Sequence, residues 1–173
     1  RELGITKTEI GALDIRNQCS GFIYGLSIAD QYIKSGMYKN ILVVGSEMHS
    51  MGLDFSTRGR AVTVIFGDGA GAAIVQRTDN KDQGILSTKL HSDGTYAEKL
   101  AFLAPGSHGG YHNDQLEEPV DYGFDKSIDY GEIFFTEKML KEGKYYPRME
   151  GQFVFKLAVT KFPEVIGEVL EDA

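Results

Sequence analysis

Two adjacent stretches restrict the folds open to this chain. From Ser20 to Ser35, Phe22, Leu26, Ala29 and Ile33 recur at spacings of four, three and four, the period of a helix. Gly21 and Gly25 lie within it. Each weakens a helix by about 1 kcal/mol relative to alanine, and the use for them is to let another backbone approach closely. That predicts a buried helix, with Gly36 as its C-terminal stop. Directly afterwards, Ile41-Leu42-Val43-Val44-Gly45 is a short, β-branched apolar run, the pattern of a strand covered on both faces. Residues 12–15 read as a short strand, so strand, helix and strand predict a parallel βαβ unit and an α/β protein.

Further along, residues 61–66 are apolar and fit either a strand or a short helix. Gly67-Asp68-Gly69 is a turn and Ala72 to Val75 a strand. Asp79 to Gln83 is polar and forms a joint, with a new strand expected from Ile85 to Leu90. Residues 105–150 are acidic and irregular, with several glycines and tyrosines. Long irregular segments within a domain are uncommon and often functional. One short amphipathic helix is expected there, from Glu132 to Glu142, with Phe135, Met139 and Leu140 on its apolar face. Phe155, Ala158, Phe162, Val165 and Val169 return to helical spacing, and Pro163 predicts a kink or two abutting helices.

Composition narrows the function. The net charge of −7 opposes a broad nucleic-acid surface, which must be basic. No apolar run reaches the roughly 18 residues of a membrane span. The N-terminus has no signal-peptide pattern and no initiator Met, so the chain is expected to begin inside a larger protein. A single cysteine cannot form an internal disulfide, which suits a reducing cytoplasm.

That cysteine, Cys19, stands where a strand is expected to hand over to the glycine-containing helix. The free N–H groups and dipole at a helix N-terminus favour an anion, and the thiolate is the reactive form of cysteine. Such a residue can take an acyl group from a thioester and hold it as a new thioester. A buried, inert thiol at a strand–helix junction is the plain alternative.

The segment Asp14-Ile15-Arg16-Asn17-Gln18-Cys19-Ser20-Gly21-Phe22 resembles the nucleophile segment of beta-ketoacyl-acyl-carrier-protein synthase III, a thiolase-superfamily condensing enzyme. The likeness continues through 26–33, 35–36 and 42–47 to Phe66-Gly67-Asp68-Gly69-Ala70-Gly71-Ala72. Leu90-His91-Ser92-Asp93-Gly94 and residues 149–156 are similar to later family segments. The resemblance implies a layered thiolase-like α/β fold, present in part. Residues 1–80 would end the first half and carry the nucleophile. Residues 81–173 would begin the second half, with an insertion at about 105–150 that reshapes the acyl pocket or a dimer surface.

It also implies a reaction. An acyl group passes from coenzyme A to Cys19, and malonyl-acyl carrier protein then loses carbon dioxide and attacks the acyl-cysteine. No permanent cofactor or metal is expected; the coenzyme A thioester is a substrate. The family's catalytic His and Asn follow the helix matched by 153–171, so the 173-residue chain alone is expected to be inactive. An arginine is expected at the adenine end of coenzyme A. Counting back from Phe66 selects Arg60 and counting forward from Asp54 selects Arg58; Arg60 is preferred. Gly151 and Phe155 match positions lining the family's pantetheine channel, although Phe155 also suits helix core. A cytoplasmic homodimer is expected, without nucleic acid or membrane as partner.

Other histidines do not match the catalytic motif. His91 reads as a structural hydrogen-bonding residue. His108 and His112, separated in part by Gly109-Gly110, are expected to be solvated. The Gly67–Gly71 turn lacks the P-loop Lys-Ser/Thr pair and reads as structural. Two other functions remain open: a related enzyme with another acceptor (hydroxymethylglutaryl-coenzyme A synthase-like or a secondary-metabolite synthase), and an inactive acyl-binding scaffold.

Overall fold

The computed structural model describes residues 2–6, 9–103 and 134–173. It divides into two compact units, one of Arg1–Gly45 with Ala70–Leu90, the other of Ser46–Gly69 with His91–Ala173.

The first unit is organised around helix α1, Gly21–Lys34, and strands β1, Asn40–Glu47, and β2, Gly69–Gln76. The helix expected over 20–35 is therefore present, led in by a 3-10 turn at Gln18–Ser20. It ends as the sequence predicts. Gly36 has φ +76°, its N–H donates to the carbonyl of Ile33 at 3.0 Å, and the N–H of Met37 donates to that of Tyr32 at 3.0 Å. These are the two bonds of a Schellman stop, which favours glycine because its left-handed φ crowds any Cβ.

Helix α1 runs back along β1. A Cβ on Gly25 would stand 3.1 Å from Cγ1 of Val43, and a Cβ on Gly45 would stand 3.1 Å from the ring of Phe22. Close approach at Gly25 is thus as expected. Gly21 differs, because nothing lies within 4 Å of its added Cβ. Only Gly25 and Ala29 are buried in α1, so it is covered on one face rather than all round. The same correction applies to β1. Val43 is buried, whereas Leu42 and Val44 are 50% and 58% exposed. Alternation puts 41, 43 and 45 against α1 and leaves 42 and 44 on the other face.

The parallel βαβ unit is not formed among the described residues. Residues 12–15 and 85–90 have no ladder and run as irregular chain. Their apolar residues carry strand propensity, but a strand exists only where a partner supplies hydrogen bonds. The partner of β1 is β2. Asn40, the first residue of β1, accepts a 2.6 Å hydrogen bond from Gln76, the last of β2, so the strands lie in antiparallel order.

The second unit contains α2 (Arg60–Thr63), β3 (Leu100–Ala101), α3 (Glu137–Glu142), β4 (Arg148–Met149) and α4 (Gly151–Asp172). The ambiguous 61–66 stretch falls mainly in α2 and the turn after it, with Val62 buried beneath. Strands β3 and β4 pair antiparallel, Leu100 with Met149 and Ala101 with Arg148. The ammonium of Lys99 bonds both oxygens of Glu150 at 3.0 and 3.1 Å, fixing the entry to α4.

Helix α3 is shorter than expected, because the Thr136 hydroxyl accepts the N–H of Met139 and caps it there. Met139 is buried, but Phe135 and Leu140 are exposed. Helix α4 is one continuous element through Pro163, not two abutting helices. Proline removes one backbone donor and its ring crowds the carbonyl four residues back, yet the helix runs unbroken from Gly151 to Asp172. Most of the 105–150 insertion, with His108 and His112, lies outside the described residues.

Candidate active site

Cys19 is a free, exposed thiol in the turn that enters α1. Two local features shape that turn. Gln18 has φ +41°, a left-handed conformation that costs a non-glycine residue on the order of 1 kcal/mol. The Asn17 amide donates to the Ser20 hydroxyl at 3.3 Å, and that hydroxyl donates back to the Asn17 carbonyl at 3.4 Å. Ser20 therefore closes the turn around the thiol and does not cap α1, whose N-cap makes no side-chain hydrogen bond. The end has no side-chain cap, and although the Gly21 N–H is taken by the Gln18 carbonyl, its positive dipole favours an anion beside Cys19. The thiol is therefore not buried at the junction, as the plain alternative had it.

The remaining candidates belong to the second unit. Arg60 is exposed at the start of α2. Arg58 is engaged internally: its Nε donates to Asp54 Oδ2 at 2.6 Å, and its guanidinium carbon lies 5.5 Å from the centre of the Tyr146 ring. Asp54 is 6% exposed. It also accepts the N–H of Ser56 at 2.9 Å. Hydrogen bonds from Ser56, then from Arg58, hold its carboxyl down at about 2. Arg58 and Asp54 line a cleft of about 460 Å³ with Val62, Gly143, Tyr146 and Met149; Arg60 is not among its lining residues.

Gly151 and Phe155 sit one helical turn apart on α4. Phe155 is 67% exposed, so it is not helix core here. His91 has its structural role: Nε2 lies 2.6 Å from Oε2 of Glu168 on α4. The Gly67-Asp68 turn is likewise held by its neighbours. Asp68 accepts both the N–H and the hydroxyl of Ser50, at 2.8 and 2.6 Å, and these bonds lower its pKa. A carboxylate there opposes a phosphate cradle. Among the described residues, no three His, Cys, Asp or Glu side chains gather as metal ligands, and no helix is long and apolar enough to cross a membrane.

Sequence reasoning overlooked Gln18 and Asp54. Glutamine has no special preference for positive φ, so nothing in its identity signals the strained turn. Asp54 was legible, since Ser56 and Arg58 follow it at the two- and four-residue spacings of a local carboxylate clasp.

The model of the family described as 3-Oxoacyl-[acyl-carrier-protein (ACP)] synthase III matches residues 13–94. A Beta-ketoacyl-[acyl-carrier-protein] synthase III from Sulfurovum sp. is 35% identical over 98% of this chain and 42% of its own length. Over nearly its whole length the chain is similar to the synthase III family. A second synthase III, from Microcystis aeruginosa, is 38% identical over 92% of the chain and 40% of its length. The chain thus spans about two fifths of the length of these relatives.

The crystal structure of 3-oxoacyl-[acyl-carrier-protein] synthase III from Aquifex aeolicus is similar with a TM-score of 0.63 and 35% identity, covering 92% of this chain and 38% of that one. The synthase III of Pseudomonas aeruginosa gives 0.60 and 27%, with 88% and 37% covered. The thiolase-like α/β class expected from sequence is therefore the fold of this chain. Its matched segment includes Cys19, the turn around it and Arg60, and ends before Gly151 and Phe155.

Proposed function

We propose that the chain carries the acyl-accepting part of a synthase III-type condensing enzyme. The exposure of Cys19 in the turn entering α1 carries this reading. The thiolate sulfur attacks the thioester carbonyl of an acyl-coenzyme A. The carbon–sulfur bond to coenzyme A breaks, coenzyme A leaves as its thiol after taking a proton, and the acyl group remains on Cys19. In the condensing step, malonyl-acyl carrier protein loses carbon dioxide and its carbanion attacks the acyl-cysteine. A 3-oxoacyl carrier protein forms and the Cys19 thiolate is released, initiating fatty acid synthesis.

Arg60 is assigned to the nucleotide end of coenzyme A, because Arg58 is already bound by Asp54 and Tyr146. Gly151 and Phe155 are assigned to the pantetheine path; their shared, exposed helix face supports this. Residues 1–80 are read as the end of one thiolase-like half and 81–173 as the start of the other. The working form is a cytoplasmic homodimer that needs no bound cofactor.

Incubation with acetyl-coenzyme A followed by peptide mass spectrometry tests the central claim. One acetyl group is expected on the Cys19 peptide and none on Cys19→Ala. An unmodified Cys19, or equal labelling of the variant, would overturn it.

A further inference from the structure

One carboxylate organises the loop that carries Arg60. The side chain of Asp54 accepts from the Ser56 N–H at 2.9 Å and from the Arg58 Nε–H at 2.6 Å, and its carbonyl accepts the Thr63 hydroxyl at 2.7 Å. The Gly59 backbone lies so close that an added methyl would collide with the Asp54 carbonyl. The chain from 54 to 63 is therefore clasped at its start, middle and end by a single buried residue. Within the clasp, Val62 points into the unit and is buried. Arg60, two residues earlier and so about 200° away around the helix, is exposed. Arg58 is tied off separately on Asp54 and Tyr146.

We propose that Asp54 is a positioning residue for coenzyme A recognition, fixing the turn from which Arg60 reaches the nucleotide phosphates. This rests on the assignment of Arg60 to that nucleotide. A turn held in place before binding loses less conformational freedom when the phosphate arrives, so the arginine's interaction appears more fully as affinity. Asp54 itself touches no ligand.

Calorimetric titration of the chain with coenzyme A, and separately with 4′-phosphopantetheine, tests this. The second ligand lacks the adenosine nucleotide, so a positioning role affects only the first. Asp54→Asn is expected to weaken coenzyme A binding by about tenfold or more and to leave phosphopantetheine binding unchanged. Arg60→Ala should remove the same increment, and the double variant should bind no more weakly than Arg60→Ala alone. Thr63→Val keeps the carboxylate and removes one clasp, giving a smaller loss of the same kind if Asp54→Asn does not fold. Normal coenzyme A binding by both clasp variants, with weak binding by Arg60→Ala, would overturn the role of Asp54 and leave that of Arg60 standing. Normal binding by Arg60→Ala would overturn both. Equal losses for the two ligands would reduce Asp54 to a general structural residue.

Discussion

Gly25 of α1 faces Val43 of β1 so closely that a Cβ on the glycine would lie 3.1 Å from Cγ1 of the valine. The helix that begins just after Cys19 is seated on the sheet through this contact. Gly25→Val is expected to destabilise the protein by about 1–3 kcal/mol, the usual effect of overpacking, and to reduce acetylation of Cys19. Gly21→Ala makes a control, since open space surrounds that position. It should be neutral or stabilising by up to about 1 kcal/mol through helix propensity. Urea unfolding of both variants checks the contrast; equal losses would refute it.

Cys19 is the sole cysteine and is exposed. An aromatic disulfide reagent should therefore titrate one thiol in the native protein, without denaturant. A thiol that reacts only after unfolding would contradict the described geometry.

Asp54 gives the protein a specific acid sensitivity. Its carboxyl is held at about 2, below the ordinary 3.8. Between these values the unfolded chain binds a proton that the folded chain refuses, so stability falls as pH falls. The contribution is complete above about pH 4 and is lost toward pH 2. Asp54→Asn should show a shallower decline in unfolding midpoint across that window than the parent chain. Parallel curves would show that the clasp does not shift this carboxyl.

Two glycines with similar φ should respond differently to alanine. Gly36 has φ +76° and open space around its Cβ position. Gly36→Ala is expected to cost about 1 kcal/mol from backbone strain alone. Gly143 has φ +70°, and an added Cβ would also overlap the Arg58 guanidinium. Gly143→Ala should cost more, by displacing Arg58 from Tyr146. Thermal unfolding of the pair checks the order.

Arg58 and Arg60, two residues apart, separate stability from binding. Arg58→Ala should lower the unfolding midpoint, because it leaves the Asp54 carboxylate without its guanidinium. Arg60→Ala is a substitution at an exposed position and should change stability by no more than about 0.5 kcal/mol. The reverse order would contradict the assignment of Arg58 to the Asp54 clasp and of Arg60 to the nucleotide.

What the sequence determined by itself was local. Helix α1 and its stop at Gly36 follow from apolar period and from the one residue that tolerates a left-handed φ, and β1 and β2 follow from short β-branched or small-residue runs. Cys19 was legible because a lone cysteine stood in a family-like segment before a glycine-containing helix. Tertiary structure decided which faces were covered and which segments found partners. Val43 is buried while Leu42 and Val44 are not, and residues 12–15 and 85–90 remain without a ladder, because burial and strand hydrogen bonds depend on another element lying alongside. The same reason separates Arg58 from Arg60: their identities match and both are exposed, and only the placement of Asp54 and Tyr146 marks Arg58 as the guanidinium held by its neighbours.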